Sequence, residues 1–391
     1  MLNRRLLRGR VLQALYAYKQ CKEASFLSGQ DIVAAEFEPD LNSPEAPNYT
    51  LLNELKENAK HLYEQNYQER HFKADGALNA SVALAASKGI QYYQDQVRKY
   101  RKQCENDMLR ETDKLEQRHF SLIALLIKFG ELAALDERDK KMRSYTIKPM
   151  FEYQFKLKNN AILQHFKKHA SFQENASKML IGWDEELVRE WYKLLKEDTA
   201  YMEYAELLTA DFEHDKIIID HIVRHFIFKN DLVLSYFEEL HINWKEDKPV
   251  LKDLLLKSIK AVVPETLHSE TELAPLGINW EEDREFFLDL YRHTIVAEDD
   301  FESIIGQNLK NWEWGRVALT DRIILEMAVA EMINFSSIPV KVSINEYIEL
   351  SKLFSSKKSK DFINGLLDTT AEELQKSGVI LKSGRGLIDN K

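Results

Sequence analysis

Between Trp312 and Asp368 the chain carries successive apolar stripes at a spacing of three and four residues, a pattern that helices can bury and strands cannot. Leu319, Ile323, Met327 and Ala330, widened by Ile324 and Ala328, predict a first helix that buries one broad face. Pro339 interrupts it, because proline lacks an N–H and restricts the residue before it. Ser343 and Glu346 have the spacing of a capping box, which predicts a second helix from near Ile344. Phe362, Ile363, Leu366, Leu367 and Leu374 mark a third. Gly365 inside it costs roughly 1 kcal/mol against alanine, so it is expected at a close helix contact. A compact helical bundle accounts for all of these features.

The rest of the chain extends that reading. Its 391 residues suffice for two or three domains, and with only 13 Gly and 8 Pro the expected fold class is all-α. Two cysteines, Cys21 and Cys104, make no disulfide framework and have no metal-ligand spacing, which suits a reducing cytosol. The opening leucines are broken by arginines, unlike a signal peptide, and the longest apolar run, near Leu122 to Ile127, is far short of a membrane span. A soluble, cytoplasmic protein is expected.

The net charge of -10 argues against nonspecific nucleic-acid binding over the whole surface, but the charge is unevenly spread. Arg4, Arg5, Arg8, Arg10, Lys19 and Lys22 precede the first acid, Glu23, and Lys352, Lys357, Lys358 and Lys360 form a second basic segment. Two basic segments on an acidic protein fit a localised polyanion site. From Leu6 to Tyr18 a helix is predicted, with Leu7, Val11, Ala14, Leu15 and Tyr18 on one face and Arg5, Gly9, Gln13 and Tyr16 on another. Arginine offers planar donors to phosphates and tyrosine can stack on an unpaired base. An ordinary amphipathic helix with a solvated basic face explains the same residues, and taken alone they favour it.

The expected organisation is a first helix over residues 1–20, a linker over 21–50 marked by Pro39, Pro44 and Pro47, and inserted charged helices over 51–180. A shift of 68 then places Arg224-His225 on Arg292-His293, Asn243-Trp244 on Asn311-Trp312, Leu255 on Ile323 and Ile259 on Met327 without a gap. This reads as a duplicated helical unit, one copy in 181–264 and the second within 265–378, followed by a tail over 379–391 that forms a small hairpin or stays mobile. Gly378 suits a helix C-cap.

No catalytic constellation is visible. His165/His169 and His221/His225 have helical spacing but no adjacent glutamate or clear third ligand. There is no phosphate loop, dinucleotide fingerprint or nucleophile elbow, so neither an enzyme nor a cofactor is expected.

Both ends of the chain resemble the NusB family of bacterial transcription antitermination factors. Arg4-Arg5, Arg8 and Gln13-Ala14-Leu15-Tyr16 look like its arginine-rich first helix. Asp321-Arg322-Ile323-Ile324-Leu325, Ile338-Pro339-Val340-Lys341-Val342, Ile344-Asn345-Glu346 and Phe362-Ile363-Asn364-Gly365-Leu366-Leu367-Asp368 look like its C-terminal domain. The length and the opening Met-Leu-Asn-Arg-Arg are similar to the long NusB-like proteins of Bacteroidetes, with an enlargement after the first helix. Lys358 stands where the family often has an acidic residue.

The resemblance implies packed helical bundles and no enzymatic activity. It implies binding of boxA-type RNA of ribosomal RNA leaders together with NusE, a small-subunit ribosomal protein, and assembly with other Nus factors on RNA polymerase. It assigns RNA contacts to Arg4, Arg5, Arg8, Gln13, Tyr16, Lys357, Lys358 and Phe362, and the partner contact to Asp321. The alternative is a protein-interaction scaffold of transcription or ribosome assembly without strong RNA affinity.

Overall fold

The computed structural model describes residues 4–39, 47–69, 72, 79–143, 153–267, 273, 279–307 and 314–388. Among them the regular structure is helical, with fifteen α-helices and no strand. The chain divides into two compact units, one made of Met1–Leu6 with Arg110–Asp283 and the other of Leu7–Leu109 with Arg284–Lys391.

The second unit is centred on helix α13 (Leu319–Asn334), with α12 (Glu298–Gly306), α14 (Val340–Phe354) and α15 (Ser359–Lys376) packed about it. The apolar stripe predicts one buried face, but α13 is buried on every side from Ile323 to Met332, Glu326 and Glu331 included. The added cover comes from α1 (Arg4–Ala35), whose basic side chains reach both glutamates. The proposed stop at residue 20 and linker from 21 do not describe this helix, which continues to Ala35 and meets its first proline only at Pro39. Its later turns pack on α2 (Tyr49–Asn66) and the start of α3 (Ala80–Arg143), around Val33, Tyr63, Ala86 and Tyr93. Gly29 is required there, since a Cβ would lie 2.2 Å from the Tyr63 hydroxyl.

Two local expectations fail for identifiable reasons. Helix α14 starts at Val340, directly after Pro339, whose carbonyl accepts from the Ser343 N–H. Ser343 is therefore inside the helix with its hydroxyl turned to Glu331, and no capping box forms with Glu346. Gly365 faces solvent with nothing within 4 Å of a Cβ, so it marks no close helix contact. Gly378 does take a left-handed conformation, at φ 73°, just past the end of α15. After it the chain is neither hairpin nor free of the bundle. Ser383 N–H donates to the Ser336 carbonyl at 3.0 Å, and a 3-10 turn over Gly384–Leu387 follows.

The first unit holds the later part of α3 and the helices α4 (Ala161–Lys168), α5 (Ala170–Lys178), α6 (Glu185–Leu195) and α7 (Thr199–Glu206). They are followed by α8 (Phe212–His221), a π-helical turn over Ile222–Ile227, α9 (Asp231–Leu240) and α10 (Trp244–Ala261). Helix α11 (Trp280–Val296) begins 68 residues after α8, the same offset that aligns the sequence. At that offset Leu255 and Ile259 of α10 correspond to Ile323 and Met327 of α13, and all four are buried. Asn311 and Trp312, the second copy of the matching Asn-Trp pair, lie outside the described residues.

Candidate nucleic-acid interface

The expected RNA-binding residues separate by accessibility. Gly9 of α1 packs against the end of α14, so that a Cβ there would meet the Phe354 ring at 3.5 Å and Leu350 at 3.9 Å. Gln13 and Tyr16 follow on the same side of α1, one and two turns further on. Tyr16 is 43% exposed and Gln13 is half-buried, accepting from Arg10 Nη1 at 3.3 Å. Three and four residues beyond Phe354, the turn into α15 presents Lys357 and Lys358, both exposed, and Phe362 is half-buried one turn into that helix. Gly9 of α1 thus meets the end of α14, with an exposed aromatic ring two turns further along α1 and two exposed lysines in the turn that follows α14.

Arg8 does not join them. It is 3% exposed and its guanidinium faces inward, donating from Nε and Nη2 to the two carboxylate oxygens of Glu331, each at 2.7 Å. Glu331 also accepts from the Ser343 hydroxyl at 2.7 Å and the Tyr347 hydroxyl at 3.0 Å, and Arg8 Nη1 lies 3.6 Å from Glu346. The guanidinium carbon stands 5.3 Å from the Phe286 ring centre and 5.8 Å from that of Tyr347. Burial opposes the Arg8 charge, but Glu331 and its hydrogen bonds outweigh that and raise the arginine pKa above its ordinary value. Burial, and after it the Glu331 charge, drives the Tyr347 phenol well up, so it stays a donor. A fork-to-fork pair with every partner satisfied has no face left for a phosphate, so the expected phosphate contact of Arg8 is corrected to an internal one.

Asp321 is corrected in the same way. It is 6% exposed and accepts a hydrogen bond from the Ser355 hydroxyl, which in turn lies 3.0 Å from the Ser359 hydroxyl. Instead of facing a partner, Asp321 braces the turn that carries Lys357 and Lys358. Arg4 and Arg5 belong to the first unit. Arg4 pairs with Glu282 at 2.6 Å and Asp283 at 3.3 Å, while Arg5 is exposed.

A second charged cluster lies along α1 in the other unit. Lys19 reaches Glu298 at 2.7 Å and Glu326 at 2.9 Å, and Lys22 reaches Glu298 at 2.9 Å. Burial raises the Glu326 carboxyl to about 7, with Lys19 pulling it part of the way back. Burial also pushes on Glu298, but its two lysines prevail and its pKa falls. Sequence reasoning overlooked Glu326 and Glu331. The signal was there, because an acid inside the otherwise apolar run Ile323–Met332 needs a cation, and α1 is rich in them.

Comparison with known proteins follows the same residues. A profile described as the NusB family matches residues 272–372. The transcription antitermination protein NusB of Chloroherpeton thalassium is 35% identical over 140 residues, which cover 36% of this chain and 62% of that protein. Its namesake in Salinibacter ruber is 39% identical over 99 residues, 25% of this chain and 62% of the relative. The chain thus spans 62% of the length of each of these two relatives. For the NusB of Bacillus pumilus the identity is 41% over 90 residues, 23% of this chain and 69% of the relative. No solved structure matches. The match falls on the helices that enclose Glu331 and brace the basic turn, and with over two thirds of a 41%-identical relative covered, this chain belongs to the NusB family.

Proposed function

We propose that this protein is a non-enzymatic transcription antitermination factor of the cytoplasm. In this reading it binds boxA-type RNA of ribosomal RNA leaders together with NusE and promotes assembly with other Nus factors on RNA polymerase. The observation that carries the reading is the exposed Tyr16 ring on α1, the helix whose Gly9 meets the end of α14 shortly before the exposed Lys357 and Lys358. An unpaired base can stack on Tyr16 while the lysines neutralise flanking phosphates, with Gln13 and Phe362 at the edges of the strip. Arg5 adds a phosphate contact in the first unit, and Arg4 can join it by leaving its acidic partners. Arg8 and Asp321 serve as positioning residues that hold α1 and the basic turn in place. The NusE contact rests on kinship alone, since Asp321 is turned inward.

A gel-shift titration of boxA-like RNA, with and without NusE and at several salt concentrations, tests this. Base stacking on an aromatic side chain is worth about 1–3 kcal/mol, so Tyr16→Ala should weaken binding roughly fivefold to over a hundredfold. Replacing Lys357 and Lys358 by alanine should lower the slope of log affinity against log salt by about 1.4, at about 0.7 for each lost single-strand phosphate contact. Unchanged affinity and slope in folded variants would remove the RNA assignment. Retained NusE binding in that case would favour the scaffold alternative.

A further inference from the structure

Along α3 the cations divide into those that meet an acid and those that do not. Lys88 reaches Glu36 and Lys114 reaches Glu111, each at 2.6 Å, and Lys128 lies 3.3 Å from Glu185. Between Lys88 and Lys114 the stretch Gln96 to Cys104 reads Gln-Val-Arg-Lys-Tyr-Arg-Lys-Gln-Cys, with four cations and no acid. Among the described residues Lys99 and Lys102 form no ion pair, and the Lys99 ammonium rests 5.8 Å from the Tyr100 ring centre. Arg98 has Asp95 at 3.7 Å, with both side chains more than half exposed, a pairing worth little in water.

These cations share one face. Arg98, Lys102 and Asn106 follow one another at four-residue steps, with Lys99 and Gln103 beside them, and all five are exposed over about 12 Å of helix. The other side of the same turns is fixed in the second unit, where Cys104 and Met108 are buried and Tyr291 of α11 donates its hydroxyl to the Arg101 carbonyl at 3.0 Å. Arg292 holds Glu105 at 2.6 Å, which keeps the first downstream acid from the lysines. Asp95 and Asp107 bound the strip and set its length.

What such a face can hold follows from what it lacks. Among the described residues no large apolar side chain of α3 is exposed between Leu84 and Met142. A protein partner seats aromatic or aliphatic anchors in a dry centre, and a membrane surface takes up inserted apolar groups, so neither finds purchase here. A run of phosphates needs only cations spaced along a line, with amides such as Gln103 and Asn106 as further donors.

Given that the protein binds RNA as proposed above, we infer that this strip of α3 is a second, sequence-independent RNA contact that takes the unpaired nucleotides flanking the segment bound at Tyr16. Tyr16 and the strip belong to the same compact unit. Arg98, Lys99 and Lys102 each neutralise one phosphate, so the strip adds affinity and salt dependence without a base preference.

Gel-shift titrations of the full chain at several salt concentrations test this, with a boxA-like RNA and with the same RNA extended by about ten unpaired nucleotides at each end. The triple variant Arg98→Gln, Lys99→Gln and Lys102→Gln replaces exposed residues by a good helix former, and circular dichroism checks its fold. On the extended RNA it should bind more weakly and lose about 2 from the slope of log affinity against log salt, at about 0.7 for each phosphate contact. On the short RNA it should match the wild type, and Lys99→Arg with Lys102→Arg should keep the slope on both. Scrambling the flanking sequence should change nothing. An unchanged slope on the extended RNA overturns the inference, as does an equal loss on both RNAs, which merges the strip with the Tyr16 site. Polyglutamate of matching charge that competes as well as the flanking RNA makes the occupant an acidic protein and also overturns it, and strip-dependent sedimentation with phosphatidylserine vesicles does the same in favour of a membrane. Tyr16→Ala should weaken both RNAs alike. A silent Tyr16→Ala with the strip's effect retained removes Tyr16 and leaves the strip, whereas a wild-type chain that binds neither RNA removes both.

Discussion

Arg8 and Arg118 are both buried arginines held by carboxylates, yet they are completed to different degrees. Around Arg8, Glu331 accepts from two guanidinium nitrogens and from two hydroxyls, and two aromatic rings flank the cation. Arg118 is shared between Asp247 and Glu111, one of its nitrogens finds no acceptor among the described residues, and it forms part of a cavity wall. The first arrangement satisfies its buried groups and the second leaves one donor unmet among the described residues. Burial alone therefore says little about how well an arginine is satisfied; the state of its hydrogen-bond partners decides.

The largest effect should come from opening the closed site. Arg8→Met strands Glu331 as an uncompensated buried charge, and denaturant unfolding should register a loss of about 3–5 kcal/mol. A double substitution, Arg8→Met with Glu331→Leu, should still be destabilised by about 2 kcal/mol, since the Ser343 and Tyr347 hydroxyls lose their acceptor. Arg118→Met with Asp247→Leu removes an unmatched donor along with the pair and should come within about 1 kcal/mol of neutral. Equal costs for the two double variants would erase the contrast.

Titration should separate the two units next, with opposite signs. Glu326 has a folded pKa of about 7, above its unfolded value, so the folded state holds the extra proton and stability falls as pH rises through about 4.5 to 7. His241 has a folded pKa of about 4, below its unfolded value, so its contribution is present above about 6.5 and is lost as pH falls towards 4. Allowing for partial solvation, each is worth about 1–2 kcal/mol. Glu326→Gln should flatten the neutral-side decline and His241→Gln the acid-side one, both read from unfolding midpoints across pH. Slopes left unchanged by these substitutions would show that neither group titrates as described.

How much of this was visible beforehand follows from what a sequence pattern encodes. Period and breakers placed α13, α14 and α15, because apolar spacing reports which residues must leave water. The start of α14 and the role of Ser343 were misread because a hydroxyl can cap a helix or satisfy a distant glutamate, and only the fold brings Glu331 within reach. Gly365 followed a local rule, but whether a helix approaches it is a tertiary fact. The basic character of α1 was legible, whereas its division between an inward Arg8 and an outward Tyr16 depends on which partner covers which side. The cavity that Arg118 lines had no sequence signature, since Arg118 and Trp244 are drawn from helices far apart in the chain.

The pair formed by Arg8 and Glu331 closes a loop of 323 residues. For a flexible chain the entropy of such closure grows only with the logarithm of length, about 0.6 kcal/mol for each doubling. The segment between these two elements can therefore lengthen severalfold at a cost of only about 1–2 kcal/mol in closure entropy. In a fragment, the C-terminal helices expressed without α1 would keep Glu326 and Glu331 in an apolar helix without the Lys19 and Arg8 that pair with them. The first helix is thus the closing piece of the C-terminal fold, wherever the residues between them have gone.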